Sequence, residues 1–126
     1  MKELSTWVDG LRVRYRDSGA SGPTVLMLHG IGGSLDLWAS QYVVANAGLR
    51  LVSLDLPSHG LSDFSARPWS PLDYARFVWR FVDELGLSAG HLTGNSMGGA
   101  IALRMLGEQP GRVKSVLLAA AATLGR

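Results

Sequence analysis

The sequence predicts an α/β fold: a mostly parallel sheet with flanking helices and an antiparallel hairpin at its amino-terminal edge. Three observations carry this. The run at residues 24–28 is continuously apolar, and those at 49–54 and 113–120 are mostly so, as strands covered on both faces should be. Helical patterns at 35–46, 71–85 and 99–108 alternate with strand-like runs, which is the rhythm of a parallel sheet. Finally, Leu11-Arg12-Val13-Arg14-Tyr15-Arg16 alternates strictly, directly after Asp9-Gly10.

Taken in order, Asp9-Gly10 is the signal of a type I′ turn, so residues 4–8 pair antiparallel with the alternating strand. The three arginines of that strand are read as a solvated outer face that discourages pairing with neighbours. Residues 17–23 are loop. The apolar strand 24–28 runs into His29-Gly30-Ile31-Gly32-Gly33-Ser34, and residues 35–46 follow as helix. A second buried strand ends at Asp55, and 56–69 is loop, with Pro57, Gly60 and Pro68. Ser70-Pro71-Leu72-Asp73 then marks a helix start: Ser70 as N-cap, Pro71 at the first helical position, Asp73 closing a capping box. Leu72, Ala75, Val78, Val82 and Leu85 recur at helical spacing until Gly86. A short strand through His91-Leu92-Thr93 leads to a glycine-rich turn and a helix to about Glu108. Pro110-Gly111 stops that helix, and the strand 113–120 comes last.

With 126 residues, the chain is expected to form one domain, residues 1–126. Its 47% hydrophobic and 17% charged residues describe a globular chain without a disorder signature. The net charge of +2 is small and scattered, which argues against nucleic acid or an anionic membrane as a partner. No cysteine is present, so disulfides and thiolate metal sites are excluded. Met1-Lys2-Glu3-Leu4-Ser5 lacks the apolar core of a secretion signal, and the longest apolar run is too short to span a bilayer. A cytoplasmic location is therefore expected.

The chemistry centres on Gly94-Asn95-Ser96-Met97-Gly98-Gly99. Gly-x-Ser-x-Gly between a strand and a helix holds a serine on a sharp turn, with its hydroxyl in the open. Gly94 and Gly98 remove the Cβ atoms that would clash across such a turn. Ser96 is the candidate nucleophile, and the Met97 N–H at the helix start is the natural first donor to an oxyanion. The loop His29-Gly30-Ile31-Gly32-Gly33 is the second constellation. A glycine loop after a strand also suggests a dinucleotide fold, with Asp55 as ribose ligand. That fingerprint, however, requires glycine where Leu35 stands.

Both loops together resemble the α/β-hydrolase fold family, along the whole chain. The residues that carry the resemblance are His29-Gly30-Ile31-Gly32, Asp55-Leu56-Pro57-Ser58-His59-Gly60-Leu61-Ser62 and Gly94-Asn95-Ser96-Met97-Gly98-Gly99, in family order. The resemblance implies a serine hydrolase without cofactor or metal, acting on a small-molecule ester or related carbonyl compound. Ser96 is then the nucleophile, Met97 one oxyanion donor, and the backbone of Ile31, or of Gly32, the other. His29, Gly30, Gly32, Gly94 and Gly98 support the two loops. The elbow is similar to that of hydrolases that cleave carbon–carbon bonds in ring-fission products, while the oxyanion loop is closer to that of small esterases. Ser58 departs from the family's usual glycine. His59 and Asp55 are expected to order loops rather than bind metal, since no third ligand is placed near them. Trp38, Trp69, Trp79, Phe77 and Phe81 are expected in the packing, although Trp38 is also a candidate for an acyl pocket.

The family's triad runs serine, acid, histidine along the chain. After Ser96 the only acid is Glu108 and no histidine occurs, because His29, His59 and His91 all precede it. The expectation is that the sequence holds the amino-terminal half of such an enzyme, inactive or very weak on its own. A non-catalytic remnant or binding module is the other reading. The apolar last strand would leave an open edge, for a missing carboxyl-terminal half or for self-association.

Overall fold

The computed structural model describes residues 3–119. Its elements are β1 (Glu3–Val8), β2 (Leu11–Asp17), β3 (Thr24–Leu28), a 3-10 helix (Leu35–Ala47), β4 (Arg50–Leu54), α1 (Pro71–Glu84), β5 (Ala89–Asn95), α2 (Met97–Glu108), a 3-10 turn (Pro110–Arg112) and β6 (Ser115–Ala119). The expected α/β class holds: one six-stranded sheet in the order β1-β2-β4-β3-β5-β6. β1, β2 and β4 are joined antiparallel, while β4, β3, β5 and β6 run parallel. The hairpin turns on Asp9 at φ 49° and Gly10 at φ 78°, both left-handed, as a type I′ turn requires.

The central strands β3 and β4 are mostly apolar because both faces are covered. Leu26, Leu28, Val52 and Leu54 point to one face and pack with α1 and α2 residues such as Phe77, Val78, Phe81, Ile101 and Met105. Met27 and Leu51 point to the other, with Trp38 against them. Helix α1 begins as predicted, with Ser70 and Asp73 closing a reciprocal capping box and Pro71 at its first position.

Two expectations change. Residues 35–47 form a 3-10 rather than an α-helix. Their buried anchors, Leu35 and Trp38, are three residues apart, a spacing that stacks in a three-residue turn. The arginine face of β2 is not a solvated edge either, because β2 lies inside the sheet between β1 and β4. The Arg14 side chain is 13% exposed and bonds Asp55 Oδ2 through Nε at 2.7 Å, with Glu3 and Asp36 as further partners. Burial alone would lower its pKa, but these hydrogen bonds outweigh burial and raise it.

β6 pairs with β5 on one side only, among the described residues. Leu117 and Leu118 are exposed there. Beside them, Val25, Met27, Leu49, Leu51 and Trp38 line a concavity of about 580 Å³. Trp38 Nε1 is buried without a hydrogen-bond partner. The end of the predicted strand, from Ala120 onward, lies outside the described residues, as does Arg126.

Candidate active site

β3 and β5 are neighbours, but the chain leaves them in opposite directions: from β3 it passes to β4, and from β5 to β6. The crevice at their carboxyl ends is therefore a topological switch point, where open α/β sheets place ligands. The loops that meet there are 29–34 and the turn at Ser96.

Ser96 has φ 54° and ψ −118°, between the last residue of β5 and the first of α2. A non-glycine residue held in such geometry costs about 1–3 kcal/mol, so the surroundings must enforce it. They do so by close approach. A Cβ on Gly94 would fall inside the Gly98 carbonyl, and one on Gly98 would fall inside the Leu28 carbonyl. Strand β5, the start of α2 and the end of β3 are thus packed backbone to backbone. The Ser96 N–H donates to the Ala119 carbonyl at 3.2 Å, which ties the turn to β6. Its hydroxyl makes no capping bond to α2.

The loop after β3 is set by two buried polar side chains. His29 is fully buried; its Nδ1 bonds the Gly30 carbonyl at 2.7 Å, and Nε2 accepts the Leu56 N–H at 3.0 Å. The proton therefore sits on Nδ1, and the ring has no nitrogen left for Ser96. Burial lowers its pKa, only partly opposed by the Gly30 bond, so the imidazole is neutral. Asp55, also fully buried, accepts the Leu35 N–H on Oδ1 at 2.7 Å and the Leu61 N–H on Oδ2 at 2.8 Å, besides Arg14. This carboxylate clamps three segments and has no capacity left for a ribose, which removes the main support of the dinucleotide reading. Both residues order loops, as the sequence suggested.

Between His29 and Asp55 the loop folds tightly. The Gly33 N–H donates to the Gly30 carbonyl at 3.0 Å, and Gly32 takes φ 75°. Gly30 lies against Ser96, and Ile31 is 78% exposed above it. Ile31 and Met97 line one cavity of about 480 Å³ together with His59, Phe64, Trp69 and Tyr74.

Two of these wall residues do more than the sequence suggests. Trp69 packs on Tyr74 and Phe77, as expected, but it also faces the cavity. His59 bonds the Pro57 carbonyl through Nδ1 at 3.1 Å and packs tilted against His29, centroids 4.9 Å apart, so it orders its loop while sharing the cavity with Met97. A cavity wall drawn from an aperiodic loop leaves no spacing signal. Trp38 belongs to the core on the opposite sheet face. Trp79, Phe77 and Phe81 are buried core.

The remaining titratable candidates are elsewhere. Glu108 ends α2, eleven residues beyond Met97, and thus about 16 Å along the axis; it pairs with Arg76 at 2.5 Å. His91 lies five residues before Ser96 in β5 and bonds the Ser115 hydroxyl. Among the described residues, no cluster of three or more His, Asp or Glu could hold a metal. None of their helices is long and apolar enough to cross a membrane.

Residues 23–125 match the family described as the alpha/beta hydrolase fold. A dihydrolipoyllysine-residue acetyltransferase component of the acetoin cleaving system of Cupriavidus necator is 43% identical over 111 residues, which cover 88% of this chain and 30% of that protein. A 2-hydroxy-6-oxononadienedioate/2-hydroxy-6-oxononatrienedioate hydrolase of Paraburkholderia phymatum is 39% identical over 120 residues, 91% of this chain and 42% of that one. The crystal structure of a membrane phospholipase A superposes with a TM-score of 0.91 at 33% identity, covering 96% of this chain and 40% of that one. The chain thus spans well under half the length of these proteins.

Proposed function

The chain belongs to the alpha/beta hydrolase fold family, and we propose that within it Ser96 is the nucleophile of a serine hydrolase acting on esters or related carbonyl compounds. The observation that carries this is the backbone of Ser96, φ 54° and ψ −118°, held at the switch point by glycines that tolerate no Cβ. Strain of this kind persists where a side chain must be presented, and here it presents a hydroxyl.

The mechanism follows from the neighbours. Attack of Ser96 Oγ on a carbonyl carbon puts negative charge on the carbonyl oxygen. The Met97 N–H, at the first position of α2, faces that charge with the positive end of the helix behind it. The Ile31 N–H, on the loop packed against Ser96, is the second donor. His29, Gly30, Gly32, Gly94 and Gly98 keep the two loops in register. His29 is spent on Gly30 and Leu56, so it is not the base. No histidine follows Ser96 in these 126 residues, so this reading needs a base and an acid from a carboxyl-terminal segment, which the experiment below supplies. Cleavage of a carbon–carbon bond next to a ketone uses the same oxyanion site, and the ring-fission hydrolase among the relatives supports including it.

The lack of a histidine after Ser96 also favours a second reading, a non-catalytic remnant that keeps the elbow as structure. A fluorophosphonate probe with peptide mapping separates the two. Adduct on Ser96, increased by a carboxyl-terminal segment bearing aspartate and histidine, is the expected result. No adduct under either condition overturns the nucleophile.

A further inference from the structure

At the end of the sheet opposite Ser96, three neighbouring strands begin around a polar cavity of about 310 Å³. Thr24 opens β3, Gly90 lies at the start of β5, and Lys114 immediately precedes β6. Two residues further along each strand, Leu26, Leu92 and Val116 pack into the core with α1 and α2, so Thr24, Gly90 and Lys114 share that face. Gly90 stands six residues before Ser96, or about 20 Å along an extended strand. The pairing of β5 with β3 is irregular here: Thr24 pairs with Ala89 and Val25 with His91, which leaves Gly90 opposite no residue of β3. The Lys114 stem lies along this glycine, since a Cβ on Gly90 would meet Lys114 Cδ at 3.2 Å and Cγ at 3.5 Å.

No aspartate or glutamate lines the cavity. Arg112 in its wall is already committed, to Asp83 at 2.8 Å, to Gln109 at 3.0 Å and to the face of Trp79. Lys114 takes part in no ion pair among the described residues. Thr24 is only 4% exposed, yet its hydroxyl bonds no described residue. Among the described residues the polar side-chain atom sealed away without a partner is Trp38 Nε1, so the Thr24 oxygen opens onto the cavity. Ser88 adds a second hydroxyl at the rim.

We propose that this cavity is a phosphate site, with the Lys114 ammonium as its charge and the Thr24 and Ser88 hydroxyls as further donors. A tetrahedral dianion offers acceptors in several directions, and a compact ammonium with three rotatable donors meets it as a point charge. The buried Thr24 hydroxyl gains the partner that the fold does not provide. The ligand is inorganic phosphate or the phosphate group of a small ester, and the chemistry recognised is the same. The site stands apart from Ser96 and does not depend on its role as a nucleophile.

Amide NMR of the 126-residue chain tests this, with inorganic phosphate, glycerol phosphate and sodium chloride titrated separately at matched ionic strength. Both phosphates should shift Gly90, His91 and Lys114 saturably in the millimolar range, and chloride should not. Lys114→Met should weaken phosphate about tenfold, Lys114→Arg should keep most of the affinity, and Thr24→Val should weaken it several-fold. Lys114 is exposed, so both substitutions there leave the core untouched. Tighter binding of glycerol phosphate than of inorganic phosphate assigns the site to an ester; equal or weaker binding assigns it to the free ion. Shifts that grow linearly, that chloride reproduces, or that survive Lys114→Met unchanged overturn the site. Shifts confined to residues 29–34 and 96–98 overturn it as well, because the anion would then sit at the nucleophile turn. Ser96→Ala should bind phosphate like the parent chain. A failed nucleophile would therefore show in fluorophosphonate labelling and a failed phosphate site in this titration.

Discussion

A Cβ placed on Gly30 would stand 2.9 Å from the Ser96 Cβ and 3.5 Å from its hydroxyl oxygen, so the loop after β3 and the turn after β5 are in direct contact. One side can move only a few tenths of an ångström before the other must follow. Gly30→Ala should therefore shift the loop that carries Ile31, at an overpacking cost of about 1–3 kcal/mol. The measurement is twofold: a lower urea midpoint, and slower fluorophosphonate labelling of Ser96 than the stability loss accounts for. A labelling rate equal to the parent's would show that the contact is only packing.

The Ile31 side chain is mostly exposed, so its backbone can be tested almost apart from its packing. Ile31→Pro deletes the N–H, while Ile31→Ala keeps it. In a completed enzyme the proline variant should lose about 10²–10³ in kcat and the alanine variant little. Equal losses in both would mean that the side chain, not the N–H, matters.

Much of this site is legible in the sequence because it depends on local rules. Gly94 and Gly98 mark the turn by their spacing, Asp9-Gly10 marks the hairpin, and Ser70 to Asp73 mark the start of α1. What was not legible depends on contacts between distant residues. Arg14 looks like a solvated strand residue until Asp55, 41 positions later, is brought beneath it. His59 and Trp69 join the cavity through the path of the 56–69 loop, which has no period. Ser58, where the resemblance suggested glycine, sits at φ 70° and accepts the Ser65 N–H on its hydroxyl, a local compensation for the left-handed backbone. The 3-10 geometry of 35–47 was hidden as well, because its apolar residues are spread around the helix rather than gathered on one stripe.

Asp55 should be the most sensitive polar position of the fold. Its carboxylate joins β2 to the loops after β3 and β4, and Asp55→Ala leaves the half-buried Arg14 and two loop N–H groups without it. Loss of one member of a buried pair costs about 3–5 kcal/mol. Chemical denaturation of the variant checks this, and a loss within about 1 kcal/mol would mean that Glu3 and Asp36 suffice for Arg14.

His29 ties stability to pH. Its folded pKa lies below the ordinary value of 6.5, through burial first, with the Gly30 bond opposing. Above that value neither the folded nor the unfolded chain is charged at His29, and its contribution is steady. Below it the unfolded chain gains a proton that the folded one refuses, so stability falls as the pH drops toward the folded pKa. Asp73, held near 2 by Arg67 and the Ser70 N–H, gives up its share only at lower pH, below the ordinary carboxylate value of 3.8. Urea midpoints should drop between about pH 7 and about pH 5, and less so in His29→Gln. An identical slope in that variant would assign the effect to another group.

The last prediction concerns proton inventory. A serine hydroxyl attacks slowly near neutral pH unless a base takes its proton. His29 has both nitrogens bonded, and His91 is five strand residues away from Ser96, or about 16 Å. Among the described histidines only His59 shares the cavity with Met97, and its Nδ1 is committed to Pro57. Labelling of Ser96 in the 126-residue chain should therefore be slow, and His59→Ala should leave it slow. Addition of a carboxyl-terminal segment with aspartate and histidine should accelerate it, since the triad contributes most of the rate above the residual of about 10³–10⁴-fold left by an oxyanion hole and binding. Such a segment has a place to dock, because among the described residues β6 pairs on one side only, with Leu117 exposed next to the apolar concavity that Trp38 lines. Fast labelling of the chain alone that His59→Ala abolishes would give the opposite answer: the base would be His59, already within the residues at hand.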